Sequence, residues 1–420
     1  MKFAKTKIIR SILTVVLLLP LVSFILFTFT GIFVNHNNYY FLCNILLLLF
    51  FFATFTKMRK NTLRFFFIVF LILAFNLYFY INNNGTETGI IEFLRTFTRY
   101  YFFIFLGYVF YNYYYQKGKE TTLLRLVVYF ALFIAFINIC QFILLQTDNY
   151  SIKGWTMTFN RYNIMVRYLE KLNYLFNNYL IVGYWYDGLL RPAGYFFDTH
   201  SQYFLPLGAL IILSFKDIGF KYKKLIIGFL FLSILFSGIK TAYMTIILLG
   251  IIFLMIHFNN KRIIRYIGVT FLLIIILSVI FNKYIISLFF GENLWGIFFQ
   301  LLDHLVQIPV KLWNFDKMSF LFGGAPFLRE EDLFYSEIFL ISVTFFVGFV
   351  GLLLYFCPII LLKKIKRDKL PAFIYMSFLL SLSHYSVFLV GINYLLPALS
   401  FMYFYILIEK QKPILPSIVI

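Results

Sequence analysis

The chain has 420 residues, of which 62% are hydrophobic and only 13% are charged. A soluble domain usually carries about a quarter charged residues, so this composition excludes a water-soluble surface. A formal net charge of +20 would suggest nucleic acid as the partner of a soluble protein. Here the basic residues lie in short clusters between apolar runs, which favours a lipid bilayer and no nucleic-acid partner.

The apolar runs have the length of transmembrane helices, since a helix needs roughly 20 apolar residues to cross the hydrocarbon core. They lack the alternation that barrel strands show. We therefore expect an all-α polytopic membrane protein with about 12 transmembrane helices. The expected spans are 11–34, 39–56, 65–81, 97–115, 126–145, 202–215, 225–239, 241–258, 266–283, 336–362, 370–388 and 392–408.

Two of these spans need an argument of their own. The apolar run from Ser11 to Val34 resembles a signal peptide, but no small-x-small cleavage site follows it, so we expect a retained first span. The run 225–258 is too long for one crossing, and Lys240 would then lie in mid-membrane. We therefore divide it at Ser237–Lys240.

Charge predicts the orientation of these helices, because cytoplasmic loops carry an excess of Lys and Arg. With both termini in the cytoplasm, the inside segments hold 25 of the 37 basic residues but only 4 of the 17 acidic ones. Those four are Glu120, Asp217, Asp368 and Glu409. This bias predicts an even number of spans in the bacterial cytoplasmic membrane, with both ends of the chain inside.

The spans divide the chain into five regions, two of which are long outer loops. The expected regions are an N-terminal bundle of five spans (1–145), a first outer loop (146–201), central spans (202–283), a second outer loop (284–335) and C-terminal spans (336–420). Within the second loop, Leu294–Trp313 carries one polar stripe at helical spacing, which predicts a helix lying in the outer interface.

Two local patterns lie where the long loops meet spans. The first is Arg191-Pro-Ala-Gly194-Tyr-Phe196-Phe-Asp198-Thr-His200, which runs directly into span 202–215. The second is Leu321-Phe-Gly323-Gly, followed by a span that contains Gly348-x-x-Gly351. These glycines permit close helix approach, either for packing alone or to shape a site. Outward arginines run against the charge bias, and their guanidinium groups bind phosphate bidentately.

At these residues the sequence resembles the Wzy-type O-antigen and capsule polymerases and the related O-antigen ligases. The matching elements are Arg191-x-x-Gly194-x-Phe196, a Ser-containing turn with a basic residue (Ser237 and Lys240), the Leu-Phe-Gly element, and the Gly-x-x-Gly span. They follow the family's order over roughly residues 185–410, whereas the first half matches in hydropathy only.

The resemblance implies a fold like that of C-type glycosyltransferases and a donor linked to undecaprenyl pyrophosphate. The activity would be transfer of the growing glycan onto the next lipid-linked repeat, with a chain-length regulator as a conceivable partner and with neither cofactor nor metal. A base must take the proton of the attacking hydroxyl, and cations must neutralise the departing pyrophosphate. The candidate bases are Asp198, His200, Asp332 and Glu337. The candidate pyrophosphate-binding residues are Arg191, Lys240, Arg161, Arg167 and Arg329.

Several departures from the family pattern keep alternatives open. Lys240 stands where the family usually has Arg, and Thr199 stands where it often has Pro. Ligases usually carry His eleven residues before the first glycine of Gly-x-x-Gly, and here Glu337 favours a polymerase. A flippase or other transporter of lipid-linked sugars would need ionisable residues inside its spans, where His384 is the clearest one.

Overall fold

The computed structural model describes residues 58–146, 155–159, 163–168, 181–183, 202–258, 317–323, 339–382 and 391–410. These residues are almost entirely helical, as the composition predicts. The predicted spans 11–34, 39–56 and 266–283 lie outside them, and so does the predicted interfacial helix Leu294–Trp313.

The first four helices lie in one unbroken stretch of described residues, 58–146. Helix α1 is Lys60–Asn84, α2 is Thr86–Tyr100, α3 is Phe102–Phe110, and α4 is Glu120–Gln146. Helix α3 continues as one π-helical turn, Tyr111–Tyr115. The predicted span 97–115 therefore crosses a helix boundary at Tyr101. In addition, α2 begins well before that span, directly after a turn at Gly85.

The remaining helices overlap predicted spans, except the short α8, which lies in the predicted second outer loop. Helices α5, α6 and α7 are Phe204–Phe215, Lys223–Phe236 and Lys240–Phe258. Helix α8 is the short Lys317–Phe322, and α9 is Phe339–Phe356, extended by the 3-10 helix Cys357–Lys364. Helix α10 is Lys369–Ser381, and α11 is Leu395–Lys410, preceded by the 3-10 turn Gly391–Tyr394.

The predicted division between α6 and α7 is confirmed. Helix α6 ends at Phe236, the chain turns at Gly238 with φ +63°, and α7 begins at Lys240. Two hydroxyls secure this turn: Ser237 Oγ donates to the carbonyl of Ile234 at 2.6 Å, and the Tyr243 hydroxyl donates to Leu235 at 2.5 Å.

Among the described residues, three helices are long and apolar enough to cross a membrane: Lys60–Asn84, Glu120–Cys140 and Val343–Lys364. Shorter apolar helices run over Phe204–Phe215, Thr245–His257 and Lys369–Ser381. Exposed side chains on these helices are largely apolar, for example Phe67 (70% exposed) on α1 and Phe136 (58%) on α4. The chain is therefore a helical protein with the character of a membrane protein.

Buried tyrosines link the helices of the core. Helix α11 packs along α3, and the Tyr405 hydroxyl donates to the carbonyl of Ile104 at 3.1 Å. The Tyr355 hydroxyl donates to Tyr100 at 2.7 Å, which ties α9 to the end of α2. A ring buried among apolar neighbours needs a partner for its hydroxyl, and backbone carbonyls of adjacent helices supply it here.

A small sheet lies within the predicted first outer loop. Its strands are β1 (Trp155–Phe159), β2 (Asn163–Tyr168) and β3 (Ile181–Gly183), paired antiparallel in the order β1-β2-β3. Trp155 opposes Tyr168 across the first pair. The sequence gives no expectation of strands in this loop. Among the described residues Trp155 is the only tryptophan of the chain's four, so the described helices contain none.

Candidate functional site: the glycine junction

The Leu-Phe-Gly element at the end of α8 is in direct backbone contact with α9. Helix α9 is broken at Gly348, whose φ of 74° and ψ of 166° are not helical. A Cβ atom on Gly348 would lie 2.3 Å from the amide nitrogen of Gly323, and one on Gly323 would lie 2.3 Å from the carbonyl oxygen of Phe346. Since real Cβ contacts are never this short, glycine is required on both sides of this glycine junction.

The break leaves backbone carbonyls of α9 without helical partners. Side chains from α1, supported by the tyrosine directly before α3, provide hydrogen bonds to them. The Asn76 amide donates both to the carbonyl of Val347 at 3.1 Å and to that of Phe322. The Tyr80 hydroxyl donates to Phe346 at 2.6 Å. The Tyr101 hydroxyl in turn donates to the Asn76 side-chain oxygen. Unpaired carbonyls are costly in an apolar interior, so this network makes the broken helix tolerable there.

Helix α2 adds a carboxylate to the same region. Its buried face carries Glu92 (7% exposed) and Thr96 (1%), and both lie beside Tyr80. Its exposed residues include Thr86–Thr88 in the first turn and then the apolar Ile90, Ile91 and Leu94, with Ile91 50% exposed. These exposed apolar side chains suit a helix that faces lipid, while the buried side combines Glu92 and Thr96 with aromatic rings. Glu92 was not among the residues predicted for the site, although the spacing of Gly89, Glu92 and Thr96 indicates one helix face.

The glycine junction unites two elements that sequence reasoning placed near the site, but the predicted catalytic residues are not among those described. Asp198, His200, Asp332 and Glu337 lie outside the described ranges, as do Arg191, Arg161 and Arg329. Arg167 lies in β2, where its backbone opposes that of Thr156. Lys240 is the first residue of α7. The roles assigned to these nine residues stay predictions.

A second polar cluster lies where other helices end. Lys216 Nζ is 2.6 Å from Glu120 Oε1, to which the Tyr403 hydroxyl donates at 2.7 Å. The charges of Lys216 and Glu120 also act on Asp368. Partial burial raises the Asp368 pKa above its ordinary value, Lys216 lowers this pKa, and Glu120 raises it further. Nearby charges and burial act in opposite directions on such a carboxyl group.

An ion pair closes the start of α1 against the end of α11. Arg59 Nε is 3.0 Å from Glu409 Oε2, and Arg59 also donates to the backbone carbonyl of Glu409 at 2.9 Å. Thr62 donates to the same carboxylate, which is nearly buried. With a rise of 1.5 Å per residue, this pair lies about 25 Å from Asn76 along α1. The described bundle therefore has a charged end that lies far from the glycine junction.

Within the described ranges, no group of three or more His, Cys, Asp and Glu side chains could hold a metal ion. Comparison with protein-family models, with curated proteins and with solved structures finds no match to this chain.

Proposed function

We propose that the chain polymerises lipid-linked oligosaccharide repeat units into O-antigen or capsular polysaccharide. The reaction would take place at the outer face of the bacterial cytoplasmic membrane, by glycosyl transfer from undecaprenyl pyrophosphate. The observation that carries the proposal is the glycine junction. Two elements of the family resemblance, Leu321–Gly323 and Gly348-x-x-Gly351, are in backbone contact. The Asn76 amide bridges them by donating to the carbonyls of Phe322 and Val347, which are 246 and 271 positions away in the sequence.

The proposed topology has twelve spans, with both termini in the cytoplasm. The charged end supports it, because Arg59, Glu120, Lys216 and Glu409 come from four segments that the charge bias assigns to the inside. Each ion pair joins two of these segments, and Tyr403 of α11 links the two pairs by donating to Glu120, which supports a common end for all four. The glycine junction, about 25 Å away along α1, then lies towards the outer side.

The proposed chemistry needs a base and a set of cations. One of Asp198, His200, Asp332 and Glu337 takes the proton of an acceptor sugar hydroxyl, whose oxygen bonds to the anomeric carbon of the donor. The bond from that carbon to the pyrophosphate oxygen breaks, and the leaving group departs with the electron pair. The proposed role of Arg191, with Lys240, Arg161, Arg167 and Arg329, is to stabilise the developing negative charge without a metal.

A transporter or flippase of lipid-linked sugars is a second candidate, which two features favour. Broken helices and buried ionisable residues are typical of transporters, and the described bundle holds both, at Gly348 and Glu92. An O-antigen ligase shares the proposed donor and fold, and differs in its acceptor. Glu337, where ligases usually have His, weighs against it.

Deletion of the gene separates the three activities. Loss of a polymerase should leave glycan of a single repeat unit on its acceptor, because a ligase still transfers one unit. Complete loss of surface glycan, with long chains accumulating on the lipid carrier, would instead identify a ligase. Accumulation of single lipid-linked repeats in the inner leaflet, with no surface glycan, would identify a flippase. Gel electrophoresis of the surface glycan and extraction of the lipid-linked pool distinguish these outcomes.

A further inference from the structure

The connection between α5 and α6 is held rigidly against the start of α4. Lys216 pairs with Glu120, as described above, and Ile218 is 1% exposed. Arg125 Nε donates to the carbonyl of Ile218 at 2.6 Å. Phe220 then packs edge-on against Tyr129, with 5.4 Å between ring centroids. These contacts join the start of α4 and the connection between α5 and α6 into one continuous surface.

This surface combines cations with exposed apolar side chains. Its basic residues are Arg125, Lys221, Lys223 and Lys224, and its exposed apolar residues are Tyr129 (58%), Tyr222 (64%) and Leu225 (72%). We call these seven residues the basic corner. The carboxylate within the connection, Asp217, already accepts a hydrogen bond from the amide of Gly219 at 3.1 Å. The corner thus carries a clear excess of positive charge.

We propose that the basic corner binds the headgroup phosphate of an anionic phospholipid. The guanidinium of Arg125 is fixed through Nε, and it lies over Gly219, where a Cβ atom would be 2.6 Å from its terminal nitrogen. Its remaining donors match the oxygens of a phosphate, and the three lysines add long-range attraction. Tyr129, Tyr222 and Leu225 give the glycerol and upper acyl region an amphipathic surface, as at membrane interfaces generally.

The apolar side chains distinguish a lipid from a free anion. Inorganic phosphate needs cations alone, whereas the apolar Leu225 is 72% exposed and directly follows Lys224. Arg125 lies near the start of the apolar stretch Glu120–Cys140 of α4, which is long enough to cross a membrane. A headgroup at the corner would therefore have its acyl chains alongside α4 and α6. This proposal does not depend on the polymerase activity.

The test uses the purified full-length chain in a neutral detergent. One variant is Lys221→Gln/Lys223→Gln/Lys224→Gln, and the matched control is Lys363→Gln/Lys364→Gln/Lys366→Gln, which removes the same charge from another basic segment. Thermal unfolding and native mass spectrometry are measured during titration with phosphatidylglycerol, with phosphatidylcholine, and with inorganic phosphate.

We expect phosphatidylglycerol to bind and stabilise the wild-type protein and the control variant. Because each lysine near a lipid surface is worth roughly a fivefold change in affinity, the corner variant should bind about a hundredfold more weakly. Arg125→Gln should also weaken binding. Equal losses in the corner and control variants would mean diffuse charge attraction and would overturn the proposal. Equal protection by inorganic phosphate or phosphatidylcholine would overturn it as well.

Discussion

At the glycine junction, one added methyl group would have to displace backbone atoms of a neighbouring helix. Gly348 adopts a conformation open essentially to glycine alone, and its missing Cβ position lies within 2.5 Å of three atoms of residues 321–323. Strain and overpacking together should make Gly348→Ala less stable by about 3 kcal/mol or more. Thermal unfolding in detergent and the yield of folded protein measure this loss.

Two other helical glycines provide the control for this substitution. Nothing lies within 4 Å of a Cβ atom built on Gly228 or Gly250. Alanine has the better helix propensity, so Gly228→Ala and Gly250→Ala should leave stability unchanged or raise it by up to about 1 kcal/mol. Gly348→Ala protein as stable as these two controls would show that α8 and α9 do not touch at this point.

Arg191 carries the most specific residue prediction for the proposed activity. It belongs to the motif that best matches the polymerases, and its proposed task is to hold a pyrophosphate oxygen during departure. Loss of one charge-assisted contact in a dry site costs about 3 kcal/mol, or on the order of a hundredfold in rate. Arg191→Ala should abolish chain elongation, and Arg191→Lys should retain little, because lysine lacks the planar two-donor fork.

Protein level and membrane insertion serve as the control for the Arg191 variants, and both should match the wild type. Glycan chain length on gels reports elongation. A well-expressed Arg191→Ala protein that still makes full-length chains would remove Arg191 from the site and move the assignment to Arg161, Arg167 and Arg329.

At the level of elements, the Lys216 ammonium acts on two carboxylates, Glu120 at the start of α4 and Asp368 directly before α10. Asp368 has a raised pKa in the folded chain. Well below the ordinary pKa of 3.8, Asp368 is protonated in both the folded and the unfolded chain. As pH rises from there through the raised pKa of the folded chain, the folded state loses stability relative to the unfolded state. Asp368→Asn removes this loss while keeping a side chain suited to the start of α10.

We therefore expect Asp368→Asn to equal the wild type in acid and to exceed its unfolding temperature at neutral pH. Lys216→Met should instead lower the stability at neutral pH. We expect a cost of about 1 kcal/mol, since the ion pair with Glu120 is partly screened by solvent. Unfolding scans between about pH 4 and pH 7 compare the variants. A wild-type advantage over Asp368→Asn at neutral pH would contradict the assigned direction.

Hydropathy predicted most of the helices, because apolar length alone decides whether a segment can cross a bilayer. The division at Ser237–Lys240 followed from the same reasoning, and the structure has it at those residues. Helix α2 was not predicted at its start, since its threonines and glutamates lower the mean hydropathy of 86–96. Strand β1 does alternate apolar residues with threonines, but over only five residues, and β2 and β3 do not alternate, so no sheet was predicted in the long loop.

The contacts of the glycine junction were less accessible to sequence reasoning than its glycines. Spacing marked Gly323, Gly348 and Gly351 as points of close approach. No local pattern pairs Asn76 with Phe322, which lies 246 positions away, because such a contact depends on how whole helices dock. Glu92 was not predicted for the same reason, since its burial beside Tyr80 results from the packing of α2 on α1.

For the whole molecule, the charge bias gives a topology that reporter fusions can check. Tags after Lys60, after Lys119 and near Lys366 should report cytoplasm, because these positions lie in the basic segments. Tags near Lys153 or Lys317 should report the cell exterior or periplasm. Fusions of an enzyme active only outside the cytoplasm provide the measurement, and a cytoplasmic signal near Lys317 would overturn the twelve-span orientation.

The described helices contain tyrosine and phenylalanine but no tryptophan. Trp155 lies in β1, and the other three tryptophans, Trp185, Trp295 and Trp313, all belong to the two predicted outer loops. Indole emission from the native protein therefore comes from those two segments alone, with the helical bundle optically silent at the red edge of absorption. A change in that emission on adding a lipid-linked sugar would be a label-free signal from the outer segments.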